Sequence, residues 1–403
     1  MRSKPYKQKK IGLLMAVMLI ILSASGLGGC AQADTAKENG EVITIEEPDN
    51  SAETENVAEN AAAESENTVP QGDSVSYSEI PAEQVQDNVS INIITENSVS
   101  DNKTIVKTED GKAVIDLVFF MGQSNMSGCG GNALYAPEVS EGHGYEFRAI
   151  SDPTRLYPIK EPFGVNENNI NGIMDLPGAK RGSMVSAFAN TYYKETGVPI
   201  VAVSASSGGK DTAYWQSAAV TSDFVERQKR AQVWLTSNDY YIRKQYVVWL
   251  QGESDAADGI TAEKYNENMD NIIRPLFIGG VQKVFFVTPG RTITRNKYFD
   301  DIIKAQLQMS KTSGYYALGT TVLNGVSTEY MVDEWHYNQT VLNLVGQETA
   351  KSAAYYTNNQ KEACIYDYKN QTTFIPDGFD YPADTVVEPI DLNNSGILKK
   401  IIQ

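Results

Sequence analysis

The sequence predicts an α/β protein, a three-layer α/β/α sandwich with a mostly parallel central sheet. Two observations point there. After Lys112, short apolar runs of strand type alternate with longer helical stretches, the spacing of βαβ units. The runs are near-continuously apolar rather than alternating, as strands covered on both faces are.

The elements follow in order. Strands are expected at Ala113 to Met121, Pro199 to Ser204, Gln245 to Leu250, Val281 to Val287 and Tyr315 to Val322. Helices are expected at Ser183 to Thr196, Phe224 to Leu235, Ala262 to Leu276, Lys297 to Ser310 and Asn338 to Tyr356. In open sheets of this kind ligands bind beyond the carboxyl ends of the strands, so the informative loops are those just after them.

The segments outside this pattern differ in kind. Residues 1–30 read as an export signal. Arg2, Lys4, Lys7, Lys9 and Lys10 precede the apolar run Ile11 to Leu22, which is shorter than the ~20 residues that span a bilayer comfortably. The run ends in Leu27-Gly28-Gly29-Cys30, which resembles a bacterial lipobox. That implies lipidation at Cys30 and a chain anchored to the outer side of the membrane at the bacterial cell surface. Residues 31–105 hold 17 acidic against two basic residues and few aromatics. Such a segment buries too little apolar surface to offset its ordering entropy, and reads as a disordered acidic linker. Only Ser90 to Ile94 suggests a short strand there. Residues 106–365 form the expected domain, and 366–403 an irregular tail.

The formal charge of -17 therefore describes mainly the linker. A strongly acidic chain does not suggest a nucleic-acid partner, because phosphates would be repelled. Beyond Cys30 only Cys129 and Cys364 remain, too few for a disulfide framework. With two histidines and no Cys/His cluster at zinc spacing, no metal site is expected. The sequence specifies no oligomeric state.

Four loops carry candidate chemistry. The first strand runs into Gly122-Gln123-Ser124-Asn125-Met126. A serine two residues after a glycine at a strand end can turn its hydroxyl and its own N–H into the cleft; Ser124 or Asn125 could equally cap a helix. Met126 stands where the nucleophile elbow of α/β-hydrolases has its second glycine. After the second strand comes Ser206-Ser207-Gly208-Gly209-Lys210, whose glycines let backbone N–H groups approach a ligand oxygen. After the third comes Gln251-Gly252-Glu253-Ser254-Asp255, where Gln251 could donate its side-chain amide. Finally, Asp333-Glu334-Trp335-His336 places a carboxylate three residues before one of the two histidines, close enough to orient its ring. His143, between glycines and after no strand, reads as a plain loop residue.

These blocks resemble, in order and strand-end placement, the four signature blocks of SGNH-type hydrolases. The nearest resemblance is to the sialate O-acetylesterase-like branch, which includes the acetylxylan esterases of carbohydrate esterase family 6, and it spans about residues 113–356. It implies a flavodoxin-like fold and a serine carboxylic ester hydrolase acting on acetylated carbohydrate without a cofactor. It further implies Ser124 as nucleophile and oxyanion donor, and His336 as base with Asp333 as its acid. Gly208 or Gly209 would be a second donor, and Gln251 would replace the superfamily's asparagine. Some members use the Glu of the Gln-Gly-Glu block instead, so Glu253 is an alternative acid. Lys210-Asp211 depart from the usual threonine. The competing reading is a non-catalytic surface glycan-binding lipoprotein on the same fold, its sugars stacking on Tyr214, Trp215, Trp249, Trp335 or Tyr337.

Overall fold

In the computed structural model, the structure describes residues 91–98, 101–294 and 299–392. The segment read as an export signal, Cys30 and the segment read as a linker up to residue 90 lie outside them. The strands are β1 (Ile91–Ser98), β2 (Asp101–Thr108), β3 (Ala113–Gly122), β4 (Gly144–Phe147), β5 (Leu156–Pro158), β6 (Ile200–Ser206), β7 (Tyr240–Leu250), β8 (Lys283–Val287), β9 (Tyr316–Thr320), β10 (Ile365–Asp367) and β11 (Thr372–Phe374). The helices are α1 (Ser124–Ser127), α2 (Val185–Thr196), α3 (Thr212–Trp215), α4 (Ala218–Ser237), α5 (Glu253–Ala257), α6 (Ala262–Ile278), α7 (Asp300–Thr312) and α8 (Gln339–Asn359).

The main sheet has the order β5-β4-β6-β3-β7-β8-β9, with the β1–β2 hairpin joined to β3. The six strands from β4 to β9 along this path pair in parallel, and β5 joins antiparallel at the edge. The first long strand, β3, lies between β6 and β7. The chain builds to one side of it, then crosses back and builds to the other. That reversal leaves a crevice at the carboxyl end of β3. Gly122 sits there, level with Ser206 on one neighbour and Leu250 on the other. Three of the four candidate loops therefore start side by side.

Alternation along β3 divides the core in two. Leu117, Phe119 and Met121 pack on one face with residues of α4, α6 and α7. Val118 and Phe120 pack on the other with α2 and α8. Both faces are covered, so the strand reads as one apolar run. Asp116 interrupts it. This fully buried carboxylate is held by Arg243 Nη2 at 2.5 Å and by the Tyr192 hydroxyl at 2.7 Å.

The five expected strands and five expected helices all appear, with ends shifted by a few residues except at the starts of β7 and α4. Other elements depart from the sequence reading. The hairpin of β1 and β2 falls largely inside the segment read as linker, and β1 runs in register from Ile91 opposite Thr108 to Ser98 opposite Asp101. The short strand suggested at Ser90 to Ile94 appears as the start of β1, while β2 gave no such signal, since backbone pairing satisfies N–H and C=O groups whatever the side chains are. β4 and β5 are short edge strands. The tail read as irregular opens with the β10–β11 hairpin and packs Phe374 and Leu392 into the two core faces. Cys129 and Cys364 are not joined by a disulfide.

Candidate active site

Gly122 ends β3 with φ +142°, a backbone region closed to side chains; a Cβ there would lie 2.0 Å from the Leu250 carbonyl oxygen. The glycine lets β3 and β7 stay paired to their ends while the chain turns into α1. Ser124 opens that turn and is nearly buried. It lines a cleft of about 390 Å³ together with Gln123, Gly209, Tyr214, Glu253 and His336. Lys210, Asp211, Ser254, Asp258 and Trp335 complete the mouth.

The His336 loop is fixed from two directions. Asp333 Oδ1 accepts the N–H groups of Trp335 and His336 at 2.9 and 3.0 Å, and its Oδ2 lies 2.8 Å from His336 Nδ1. The same bonds act on the carboxyl itself. Burial raises its pKa, but the His336 ring and the N–H donors outweigh burial and hold it below the usual carboxylate range. From the other side, Asn125 Nδ2 donates to the Trp335 carbonyl at 3.1 Å, and its Oδ1 accepts the Tyr337 N–H at 3.2 Å. The residue after Ser124 thus ties the serine turn to the histidine loop.

Glu253 sits elsewhere in this network. Its Oε1 accepts from Asn125 Nδ2 at 2.8 Å, while Oε2 is buried with no hydrogen-bond partner among the described residues. Burial pushes its carboxyl up, opposed by the Asn125 bond. The carboxylate on His336 Nδ1 is that of Asp333.

The expected oxyanion donors separate into two groups. Ser124 N–H and the exposed Gly209 N–H have no hydrogen-bond acceptor among the described residues, and both residues line the cleft. Gly208 N–H does not face it, because it donates to Asp175 Oδ1 at 2.6 Å. Gln251 is also corrected. It is fully buried, and its amide nitrogen donates to the Lys210 carbonyl and to Asp255 while its oxygen accepts from Tyr265. With its hydrogen-bonding groups engaged inside, it braces the loop and does not reach an ester.

Sequence reasoning missed Gln123. Its Oε1 accepts the N–H groups of Gly252 and Ser254 at 3.3 Å each, which turns its NH2 away from that loop in a residue that lines the cleft. The signal lay in the quoted motif, beside the serine. The stacking candidates also sort by burial. Trp215 and Trp249 form a fully buried edge-to-face pair at 5.3 Å, and Tyr337 is buried. Tyr214 and Trp335 remain at the cleft. His143 sits just before β4 and stacks on Tyr193 at 4.1 Å. Register places Gly144 level with Asp116, six residues before Gly122, so His143 lies about 20 Å from the site along the sheet.

A serine, a carboxylate-held imidazole and two backbone N–H groups without an acceptor among the described residues, all at one cleft, are the parts of an acyl-transfer site. A family model described as carbohydrate esterase, sialic acid-specific acetylesterase (SASA), matches residues 114–355. The chain belongs to this carbohydrate esterase family. The match covers β3 through most of α8, and so every residue of the cleft. Among solved structures, a protein from Arabidopsis thaliana is similar at 21% identity and TM-score 0.43, over 60% of this chain and 98% of that one. A carbohydrate acetylesterase from Xanthomonas citri is similar at 16% identity and TM-score 0.40, over 65% of this chain and 63% of its own length. Comparison with curated proteins finds no match. Among the described residues of the esterase, no His/Cys/Asp/Glu cluster is placed to hold a metal ion, and no helix is long and apolar enough to cross a membrane.

Proposed function

We propose that this esterase hydrolyses O-acetyl esters on carbohydrates, of the acetylated xylan or O-acetyl sialic acid type, through an acyl-enzyme on Ser124. The observation that carries the reading is the Asp333–His336 contact of 2.8 Å in the cleft that Ser124 also lines. His336 takes the Ser124 proton as Oγ attacks the ester carbonyl. Asp333 holds Nδ1 protonated, so that Nε2 is the basic nitrogen, and stabilises the imidazolium. The N–H groups of Ser124 and Gly209, with the Gln123 amide beside them, receive the oxyanion, each donor being worth about 3 kcal/mol in the barrier. The imidazolium then protonates the departing sugar oxygen. Water repeats the sequence on the acetyl-enzyme, releasing acetate and restoring the serine.

The mouth of the cleft suits a sugar. Tyr214 and Trp335 offer aromatic faces, and Lys210, Asp211 and Asp258 offer hydrogen-bonding groups. The test is acetate release from acetylated xylan and from O-acetyl sialic acid, with native protein and Ser124→Ala side by side. The proposal requires native release at least about 10³-fold faster than the variant. Equal rates would reject it. We also propose that Cys30 is lipidated and holds the enzyme on the outer face of the membrane; palmitate labelling of the full chain, lost in Cys30→Ala, is the expected result.

A further inference from the structure

Residues 159–184 form neither helix nor strand, yet they bring a buried ion pair to the back of the cleft. Asp175 and Lys180 are 5% and 9% exposed. The carboxylate reaches two walls at once. Its Oδ1 accepts the Gly208 N–H at 2.6 Å, and its Oδ2 accepts the Ser127 hydroxyl at 2.6 Å. Gly208 precedes Gly209, and Ser127 lies one turn after Ser124 on α1. These walls are already close, since a Cβ on Gly208 would lie 3.5 Å from Ser124 Cβ. Asp175 is itself held at both ends of its backbone by Asn168, at 3.0 Å each. Lys180 Nζ lies 3.2 Å from Asp175 Oδ2 and donates to Ser206 Oγ at 2.6 Å.

We propose that Asp175 is a positioning residue of the oxyanion hole, fixing the Ser124 turn and the Gly208–Gly209 peptide at a set separation, with Lys180 neutralising its charge. This rests on the acyl-enzyme reading given above. An unpaired carboxylate at this depth would oppose the negative charge that develops on the ester oxygen. Burial pushes the Lys180 amine down while the Asp175 carboxylate beside it favours the proton; an ammonium 3.2 Å from that carboxylate leaves the pair nearly neutral toward the cleft. Donors held in place before reaction stabilise the tetrahedral oxyanion more than the planar ester, so losing their alignment falls on kcat and spares KM.

The test uses the full chain in detergent with p-nitrophenyl acetate as substrate and phenylboronic acid as tetrahedral-adduct probe. Asp175→Ala is expected to lower kcat by roughly 30- to 100-fold with KM within about threefold, and to weaken the boronate by a similar factor. Ser127→Ala removes one arm only and is expected to lose roughly three- to tenfold in the same two readouts. If Asp175→Ala does not fold, Ser127→Ala decides alone. Unchanged kcat in Ser127→Ala, or a kcat loss without a parallel boronate loss, overturns the proposal. Ser124→Ala in the same series separates the two ideas. If it stays active, the acyl-enzyme reading fails; if it is dead while the clamp variants are unimpaired, the clamp alone fails.

Discussion

At the scale of single residues, two carboxylates competed for one histidine, and their surroundings divide the work. Asp333 is about half exposed, bonded to the ring and held below the ordinary carboxylate range. Glu253 is sealed, bonded to Asn125 and pushed upward. Asp333→Asn leaves the shape but removes the charge that orients the ring, so kcat should fall by about 10²- to 10⁴-fold. Glu253→Gln keeps the Asn125 bond and should stay within about tenfold of native kcat. Steady-state kinetics on p-nitrophenyl acetate compare the two directly, and the reverse ranking would move the acid role to Glu253. Gln251 belongs to a different class. Its bonds brace Lys210, Asp255 and Tyr265. Gln251→Ala should therefore cost about 1–3 kcal/mol in urea unfolding, while the folded fraction keeps most of its activity.

At the scale of elements, β3 supports the site by being buried on both faces. Phe120 packs edge-on against Phe163 and Phe188, with ring centroids 5.9 and 5.2 Å away. Phe120→Ala should cost about 3–5 kcal/mol in denaturant unfolding, the loss expected for a large core ring. The turn into α5 carries a pH dependence. The Glu253 carboxyl is raised in the folded state above its unfolded value, so as pH rises the unfolded chain loses this proton first. The native form then binds more protons, and this contribution to stability, full below the unfolded pKa, fades as pH passes the folded one. Glu253→Gln removes the titration. Its melting temperature relative to native should be lowest at acid pH and rise from pH 4 towards pH 8. A flat difference would place Glu253 in an environment that does not raise it.

At the scale of the whole molecule, the sequence made the parallel sheet legible because parallel strands buried on both faces must be apolar throughout. Ser124, Gly209, Asp333 and His336 were legible for a related reason. Each lies in a strand-end loop or beside its partner in the chain, so local spacing fixes what the fold then brings together. Of the β1–β2 hairpin only the start of β1 was legible, because edge pairing is a backbone matter and its remaining residues are mostly polar. Gln251 was misjudged because a residue's place after a strand does not say which way its side chain turns. Asp175 and Lys180 carried no signal, since a segment without helix or strand has no periodicity to read.

Whether Ser124 is a nucleophile driven by His336 and Asp333 is decided by a serine-directed fluorophosphonate on the full chain, followed by peptide mapping. One adduct per chain is expected, on Ser124, abolished in His336→Ala and slowed by about 10² or more in Asp333→Asn. An adduct on another residue, or labelling of Ser124 at the native rate in His336→Ala, would contradict that role.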